Sequence, residues 1–193
     1  MSKKSNILIL GGDGYLGWPT AMHFSSRGHN VTVVDNYSRR KNFKECGVDF
    51  LTPTLDLNER AKIWYESTGK EIKVFIGDLS EINVTKSLFD GTVKYDWAIS
   101  KNFSGIPNCV IHFAEQPSAP YSMLNLEKSD FTIVNNLRVT NNLMWCVKDF
   151  SPTTHIIKLG TMGEYGTPNI DIEEGWIDIY HKGKNDRFLF PRQ

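Results

Sequence analysis

The sequence predicts an α/β fold with a doubly wound parallel sheet, and three observations support this prediction. Short, almost wholly apolar runs recur along the chain, as the strands of a sheet buried on both faces require. Longer stretches with apolar residues at helical spacing lie between these runs, so strand and helix alternate. A turn with three evenly spaced glycines joins the first run to the first helical stretch.

Residues 6–36 are the unit around which the chain is organised: a strand, the glycine turn, a helix expected over 15–27 and a second strand. Gly11 allows the tight turn, Gly14 lets backbone N–H groups approach a pyrophosphate, and Gly17 lets the helix pack closely on the sheet. This order of elements is typical of Rossmann-type domains, which bind dinucleotides. A βαβ unit without a ligand is the alternative interpretation.

Asp35 ends the second strand, about 20 residues after the glycines, where a carboxylate can bind both ribose hydroxyls of adenosine. The same carboxylate repels a 2′-phosphate, so it favours NAD over NADP. Arg39 and Arg40 indicate the opposite preference, unless they contact the adenine face or the phosphates. We therefore expect NAD as the cofactor.

Further elements are expected in the order that a doubly wound sheet needs. A capping box at residues 56–59 opens a helix that ends near Gly69. Residues 91–108 contain several aromatic side chains and are interpreted as a partly buried helix between turns. The other predictions are a helical segment at 41–46, strands at 72–76, 109–113 and 155–159, helices at 84–89 and 127–150, and a β-hairpin with strands 177–180 and 187–190 and a turn at 183–186.

The long helix at 127–150 is expected to direct one set of apolar side chains inward: Phe131, Val134, Leu137, Leu143 and Val147. We assign residues 1–170 to an NAD-binding domain and residues 171–193 to a hairpin extension.

Two strand ends are candidate ligand-binding positions, because open α/β sheets bind ligands beyond the carboxyl ends of their strands. Asp78 follows the third strand and is expected near the adenine, although it could equally cap the next helix. The loop at 114–122 follows the fourth strand and is expected beside the nicotinamide, although its two prolines would also suit a structural connector. His112, just before this loop, is interpreted as a core or supporting residue rather than a base.

The composition excludes several classes of function. Lys and Arg together number 22, as do Asp and Glu, so no net charge directs the chain to nucleic acid or to a membrane. Cys46, Cys109 and Cys146 are far apart and fit reduced thiols in the cytoplasm. Neither the cysteines nor the histidines have partners at metal-ligand spacing, so no metal is expected. No signal peptide is recognised before the first strand.

Three runs carry a more specific resemblance. They are residues 11–18, residues 112–116 with 118–123, and above all residues 159–175, which read Leu-Gly-Thr-Met-Gly-Glu-Tyr-Gly-Thr-Pro-Asn-Ile-Asp-Ile-Glu-Glu-Gly. With them, the chain resembles the first half of the extended short-chain dehydrogenases/reductases, the group of nucleotide-sugar epimerases and dehydratases. Within that group it resembles the branch that makes UDP-sulfoquinovose. The resemblance covers nearly all of the chain except residues 91–108.

The resemblance implies a reaction between UDP-glucose and sulfite. The C4 hydride passes to NAD, the 4-ketone makes the C5 proton acidic, water leaves across C5–C6, sulfite adds at C6, and the hydride returns to C4. Thr161 matches the family's hydroxyl residue that binds the C4 oxygen, although it could be a strand-end cap. Met162 and Gly163 stand where related dehydratases have an Asp-Glu pair. Glu164 is therefore the candidate for the proton transfers, with a solvated loop acid as the alternative.

These interpretations give three groups of candidate residues. Thr161 and Glu164 are the expected catalytic residues. Gln116, Ser118, Met162 and Gly163 are expected at the substrate. The expected cofactor-binding residues are Gly11, Asp13, Gly14, Tyr15, Leu16, Gly17, Asp35, Asn36, Arg39, Arg40, Asp78, Leu79, Phe113, Ala114 and Asn135, the last of which could instead make a polar contact within its helix.

The chain departs from the family pattern in two places. Pro117 stands where the family usually carries Arg, which removes a guanidinium expected near the substrate. The family's Tyr-x-x-x-Lys pair, whose tyrosine takes the C4 proton, is expected just beyond residue 192, but the sequence stops at Gln193. We therefore expect that the C-terminal part of the family fold, with the catalytic helix and the substrate domain, is missing and that the chain alone is inactive.

Such a chain would be a split gene product, a truncated product or an expressed fragment. Two other functions stay open: a non-catalytic module that senses NAD or a nucleotide, and half of another nucleotide-sugar epimerase or dehydratase, which Met162 and Gly163 disfavour. Surface normally covered by the missing parts would be apolar, so we expect a complementing chain or a homo-oligomer.

Overall fold

A computed structural model describes residues 4–161 and 175–190 of the chain. These residues fall into two units, of which the first ends at Lys158 and the second begins at Leu159. The boundary at residue 170 between an NAD-binding domain and a hairpin extension stays a prediction. Within the described ranges, none of the helices combines the length and the apolarity needed to cross a bilayer.

The first unit alternates strands and helices. Its strands are β1 (Asn6–Leu10), β2 (Asn30–Asp35), β3 (Ile72–Ile76), β4 (Cys109–His112) and β5 (His155–Lys158). Its helices are α1 (Gly17–Ser26), α2 (Ser38–Glu45), α3 (Leu57–Thr68), α4 (Ile82–Asp90), α5 (Ala119–Ser122) and α6 (Leu126–Phe150). Every strand predicted for this unit is confirmed, with ends that shift by at most one residue, whereas the short helix α5 was not predicted.

The five strands form one parallel sheet in the order β3-β2-β1-β4-β5. β1 is central, because Leu10 pairs with Val34 of β2 on one side and with His112 of β4 on the other. The chain therefore winds outward from β1 in both directions, as a doubly wound sheet requires. In such a sheet the crevice for a ligand opens where the winding reverses, at the carboxyl ends of β1 and β4.

Helices cover both faces of the sheet, and alternate residues of each strand enter different cores. One core joins Leu8, Leu10 and Val110 to residues of α4 and α6, including Leu88, Phe89 and Leu143. The other joins Ile7, Ile9 and Ile111 to residues of α1 and α3, namely Ala21, Leu57 and Ala61. The predicted Rossmann-type fold class is thus confirmed.

The helix α3 forms where local sequence signals predicted it. The Asp56 carboxylate accepts the Glu59 N–H at 2.9 Å, and the Glu59 carboxylate accepts the Asp56 N–H at 3.4 Å, which completes a capping box. Gly69 ends the helix with a left-handed φ of 67°, a conformation that glycine adopts without a Cβ clash.

Residues 91–108 do not form the predicted helix. Backbone groups of this segment bond instead to the edge strand β3: the Val74 N–H donates to the Trp97 carbonyl at 2.9 Å, and the Asp96 N–H donates to the Val74 carbonyl at 2.9 Å. The Ile76 N–H also donates to the Asp96 carboxylate at 2.6 Å. Because an edge strand offers unpaired N–H and C=O groups, it supplies the hydrogen bonds that a helix would have made internally. The expectation of partial burial is confirmed by Tyr95, which is 7% exposed.

The helix α6 buries only part of the predicted face. Leu143 and Val147 are buried as expected, but Leu137 is 69% exposed and Val134 is 36% exposed. Asn142 is buried instead, and its amide donates to the carbonyls of Leu79 and Ser80 at 3.0 and 2.9 Å. A buried amide with two acceptors is stable at such a position, so the inward face cannot be identified by apolarity alone.

The second unit contains the predicted hairpin, formed by β6 (Gly175–His181) and β7 (Lys184–Phe190). The turn is Lys182-Gly183 rather than the predicted residues 183–186, because Asn185 and Asp186 pair with the facing strand. Lys182 and Gly183 have φ values of 49° and 76°, and two positive values in succession characterise the tight turns that suit the twist of a hairpin.

Candidate dinucleotide-binding site

The glycine turn lies at the predicted crevice and is fixed to the end of β2. The N–H groups of Gly11 and Gly12 both donate to the Val34 carbonyl, at 2.8 and 3.0 Å, and the Gly14 N–H donates to the Gly11 carbonyl at 3.2 Å. α1 begins directly after this turn, and the residue before it, Leu16, provides no side-chain cap. The Trp18 N–H donates to the Gly14 carbonyl at 3.5 Å, and Pro19 has no N–H. Among the first three residues of α1, the Gly17 N–H is therefore the one left for a pyrophosphate.

Three glycines of the turn have no room for a side chain, and at Gly12 a Cβ would lie 2.6 Å from the Val33 Cβ. A Cβ at Gly17 would lie 2.0 Å from the Gly11 carbonyl oxygen, so the start of α1 packs directly on the turn. A Cβ at Gly11 would lie 2.8 Å from the Phe113 carbonyl group and 2.9 Å from the Ala114 nitrogen. The turn thus fits the backbone approach that a pyrophosphate needs, and it brings the predicted residues Phe113 and Ala114 to the same place. Tyr15 is 83% exposed beside the turn.

Asp35 lies next to the turn, as predicted for a ribose-binding acid. Its carboxylate accepts the Asp13 N–H at 2.9 Å and the Tyr37 N–H at 2.7 Å. Burial raises the pKa of Asp35 above its usual value, against the opposing effect of these two N–H donors. Each carboxylate oxygen has lone pairs beyond the one bond described, so the group can still accept ribose hydroxyls.

Asn36 and Asp78 meet beyond the ends of β2 and β3. The Asn36 amide donates to the Asp78 carboxylate at 3.0 Å, and the Ser80 N–H donates to it at 2.9 Å. Burial alone would raise the pKa of Asp78, but the hydrogen bonds from Ser80 and Asn36 outweigh it and lower the pKa. α4 begins after Glu81, so the alternative role of Asp78 as the helix cap is wrong. The Leu79 side chain is buried in the core.

The two predicted arginines differ in their partners. Arg40 forms a two-point ion pair with Asp13, from Nε to Oδ2 at 2.8 Å and from Nη2 to Oδ1 at 2.7 Å. Arg60 of α3 also pairs with the Asp13 carboxylate. Arg39 instead stacks on Phe43 and Phe50, and its Nε is buried without a hydrogen-bond partner in the described chain. Of these arginines, only Arg39 is not paired with Asp13.

The loop after β4 is held by side chains from the strand end and from α6. The Ala114 N–H donates to His112 Nδ1 at 3.2 Å. The Asn136 side chain accepts the Gln116 N–H at 2.8 Å and donates to the Gln116 carbonyl at 3.1 Å. The Gln116 side chain accepts the Ser118 N–H at 2.9 Å, and the Ser118 hydroxyl caps α5. Gln116 and Ser118 therefore stabilise the conformation of this loop, and their predicted contact with a substrate stays a prediction.

The described part of the structure places none of the remaining candidate residues at the glycine turn. Asn135 donates to the Asn136 side chain at 3.1 Å, which is the polar contact within the helix that was the alternative for this residue. Thr161 belongs to the second unit. Met162, Gly163 and Glu164 lie outside the described residues. Their assigned roles stay predictions. No three potential metal ligands among His, Cys, Asp and Glu lie together in the described ranges.

Sequence reasoning missed one residue of this site. Arg60 reaches Asp13 across 47 positions of sequence, belongs to no motif and resembles an ordinary polar residue of an amphipathic helix, so only the folded position of α3 could reveal it. Asn136 matches, with Asn135, the paired asparagines of the family that the chain resembles, but its contact with Gln116, 20 positions away, was not predicted.

The fold and the glycine turn together define the class of protein. The model of the NAD dependent epimerase/dehydratase family matches residues 7–178, so the chain belongs to this family. The expected cofactor, NAD, is confirmed as that of the family.

Two relatives within the family are similar to the chain over nearly its whole length. The chain is 42% identical to UDP-sulfoquinovose synthase, chloroplastic, from Spinacia oleracea, over 100% of the chain and 37% of the spinach protein. It is 37% identical to UDP-sulfoquinovose synthase from Sulfolobus acidocaldarius, over 97% of the chain and 44% of the archaeal protein. The chain thus spans less than half the length of these relatives.

A solved structure shows the same fold. The UDP-glucose 4-epimerase from Bifidobacterium longum, in complex with NAD+ and UDP, superposes with a TM-score of 0.61 at 22% identity. The match covers 86% of the chain and 40% of the epimerase.

Proposed function

We propose that the chain is the NAD-binding part of an enzyme of the UDP-sulfoquinovose synthase type. The observation that carries this proposal is the convergence of the glycine turn, Asp35 and the backbone at Phe113–Ala114 on one crevice. The turn and the Gly17 N–H at the start of α1 would hold the pyrophosphate, and Asp35 would bind the adenosine ribose. When bound there, NAD supplies a reversible hydride acceptor for the sugar.

The substrate part of the proposal is UDP-glucose with sulfite as the second reactant. It is supported by the 42% and 37% identity to two proteins named UDP-sulfoquinovose synthase. In this proposal the Thr161 hydroxyl binds the C4 oxygen, Glu164 transfers protons, and Gln116, Ser118, Met162 and Gly163 contact the substrate. Turnover also needs the Tyr-x-x-x-Lys segment that the resemblance places beyond residue 192. The three cysteines are free thiols in the structure, which supports a reducing compartment such as the cytoplasm, although the spinach relative is named chloroplastic.

The cofactor part is tested by isothermal titration of the chain with NAD and with NADP. We expect NAD to bind at least about tenfold more tightly, a difference of about 1.4 kcal/mol, because Asp35 repels a 2′-phosphate. Equal affinities would contradict the assignment of Asp35.

The reaction is tested by mixing the chain with a polypeptide that carries the Tyr-x-x-x-Lys segment, and by detecting UDP-sulfoquinovose with mass spectrometry. Product should require UDP-glucose, sulfite and both chains. Thr161→Val should lower turnover about a hundredfold through loss of the hydroxyl, whereas Thr161→Ser should retain it. Firm NAD binding without product in any mixture would favour the sensing module instead.

A further inference from the structure

We propose that Asp13 determines the dinucleotide preference by pairing with Arg40 and Arg60, which keeps both guanidinium groups from a 2′-phosphate of adenosine. The inference rests on the proposed binding of NAD to the glycine turn. It assigns to an acid inside the turn a part of the selectivity that sequence reasoning gave to Asp35 alone.

Asp13 lies directly beside the ribose-binding acid. The Asp13 backbone N–H donates to the Asp35 side chain, at Oδ2, over 2.9 Å. The Asp13 side chain is only 3% exposed, and its carboxylate is bonded to Arg40 and Arg60. A buried carboxylate needs partners of opposite charge, and its partners here come from two other helices.

Arg40 is held by four hydrogen bonds. Two go to the Asp13 carboxylate, and the others go from Nη1 to the Thr54 carbonyl at 3.0 Å and from Nη2 to the Leu55 carbonyl at 2.8 Å. A guanidinium has five N–H donors, so Arg40 has little capacity left for a phosphate. The group also lies over the rings of Tyr37 and Phe50, at 5.1 and 5.6 Å from their centres. Its position is therefore fixed by packing as well as by charge.

Arg60 approaches Asp13 from α3. Its Nη2 donates to Asp13 Oδ1, and the guanidinium lies 4.9 Å from the centre of the Trp18 ring. The Arg60 Nε is buried and has no hydrogen-bond partner among the described residues. The Arg60 side chain is 13% exposed. The ring and the ion pair together keep this second cation next to the turn.

The charges explain why Asp13 should matter for selectivity. Arg40 and Arg60 carry two positive charges that interact electrostatically with Asp35, and Asp13 is the acid to which both are bonded. Without the Asp13 carboxylate, the guanidinium groups would regain free N–H donors close to the ribose corner. Arginine donors at that corner are the means by which dinucleotide-binding domains accept a 2′-phosphate. In the wild-type chain, Asp13 would occupy the two guanidinium groups and Asp35 would repel the 2′-phosphate, so both acids would favour NAD.

The test is isothermal titration of the full chain with NAD and NADP for Asp13→Ser, Asp35→Ser and the double variant. Asp13→Ser should lower the preference for NAD about tenfold, which is what one freed charge-assisted hydrogen bond to phosphate supplies. The double variant should prefer NADP, with a change greater than the product of the single changes. Adding Arg40→Met and Arg60→Met to Asp13→Ser should restore the original ratio.

Asp49→Ser is the matched control, because Asp49 is an exposed acid of the neighbouring loop whose carboxylate accepts the N–H of the next residue, Phe50. It removes the same charge and should leave the ratio unchanged. If thermal melting shows that Asp13→Ser is unfolded, Asp13→Asn, which keeps the shape of the side chain, replaces it; loss of the fold in both would overturn the proposal. Affinities for NAD and NADP that fall equally would also overturn it. Wild-type chain that binds neither dinucleotide would overturn the proposed function itself.

Discussion

His112 shows how a residue can support a site without reaching the ligand. Its side chain is fully buried at the end of β4, where Nδ1 accepts the Ala114 N–H and Nε2 lies 3.3 Å from the Thr140 hydroxyl. Burial lowers the pKa of His112 from 6.5 to about 4, so the ring is neutral at pH 7. The interpretation of His112 as a core residue is confirmed by this burial.

The buried neutral ring predicts a dependence of stability on pH. Below pH 6.5 the unfolded chain binds a proton that the folded chain takes up only near pH 4, so the free energy of unfolding falls as the pH falls through this window. The loss should approach about 3 kcal/mol between pH 7 and pH 4. Urea unfolding at several pH values measures it.

His112→Gln should remove most of this pH dependence, whereas His155→Gln, at an exposed position on β5, should leave it in place. An unchanged slope in His112→Gln would show that other groups cause the loss of stability.

Local motifs revealed one set of site residues and missed another. Gly11, Gly17 and Asp35 were predictable because the turn and the strand end fix their roles within about 30 residues of sequence. The pairing of Asp13 with Arg60 was not predictable, because it depends on how α3 packs beside the turn. An acid inside a phosphate-binding turn is the only sequence signal, and it becomes meaningful once its two cations are known.

At the scale of elements, the close packing of α1 on the glycine turn makes Gly17 the most sensitive position to test. Gly17→Ala places a methyl group 2.0 Å from the Gly11 carbonyl oxygen, and backbone must move to accommodate it. We expect a loss of about 3 kcal/mol in the free energy of unfolding, as for a severe overpacking change. Urea unfolding followed by circular dichroism measures this loss.

Gly69→Ala is the control, because no atom lies within 4 Å of its Cβ position and only the left-handed φ of 67° opposes the change. Its cost should be about 1 kcal/mol. Equal costs at the two glycines would contradict close packing as the reason for Gly17.

Elements with strong local signals were predicted well. The capping box fixed the start of α3, and continuous apolar runs fixed the strands. The helix predicted for residues 91–108 was wrong, because pairing with β3 across the sheet edge is a long-range interaction. Exposure of Leu137 has a similar origin, since the neighbours of a helix decide which of its apolar residues are covered.

At the scale of the whole molecule, α6 carries a stripe of exposed apolar side chains. Leu126, Ile133, Leu137 and Met144 are 85%, 58%, 69% and 52% exposed, and their intervals of seven, four and seven residues place them on one side of the helix. This helix therefore exposes a continuous apolar stripe, whereas the expectation that missing parts of the fold would cover such surface stays a prediction. A stripe with this spacing can pack against the same stripe of a second copy, in the self-complementary way of a two-fold dimer.

We expect this stripe to cause self-association, measured by sedimentation velocity over a range of concentrations. Leu137→Glu should raise the dissociation constant at least about tenfold, because a charge would replace a leucine that the expected dimer buries. Ile63→Glu, a similar change at a half-exposed site on α3, should have little effect. A monodisperse monomer at high concentration would contradict this expectation.

The fold class, its two-sided core and the position of the crevice followed from the alternation of apolar runs and helical stretches. That level of structure is predictable because it needs only the periodicity of apolar residues. The chemistry is less accessible, because the roles of Thr161 and Glu164 rest on the resemblance alone and Glu164 lies outside the described residues.

The bridge between Val74 and Trp97 has a consequence for behaviour at high concentration. β3 is a terminal strand of the sheet, and such strands can recruit strands of other molecules into aggregates. Here the Val74 N–H and carbonyl are already bonded to residues 96–97, and the Ile76 N–H is bonded to the Asp96 carboxylate. Residues 96–97, which lie in the segment wrongly predicted to be helical, therefore protect this edge of the sheet against amyloid-like growth.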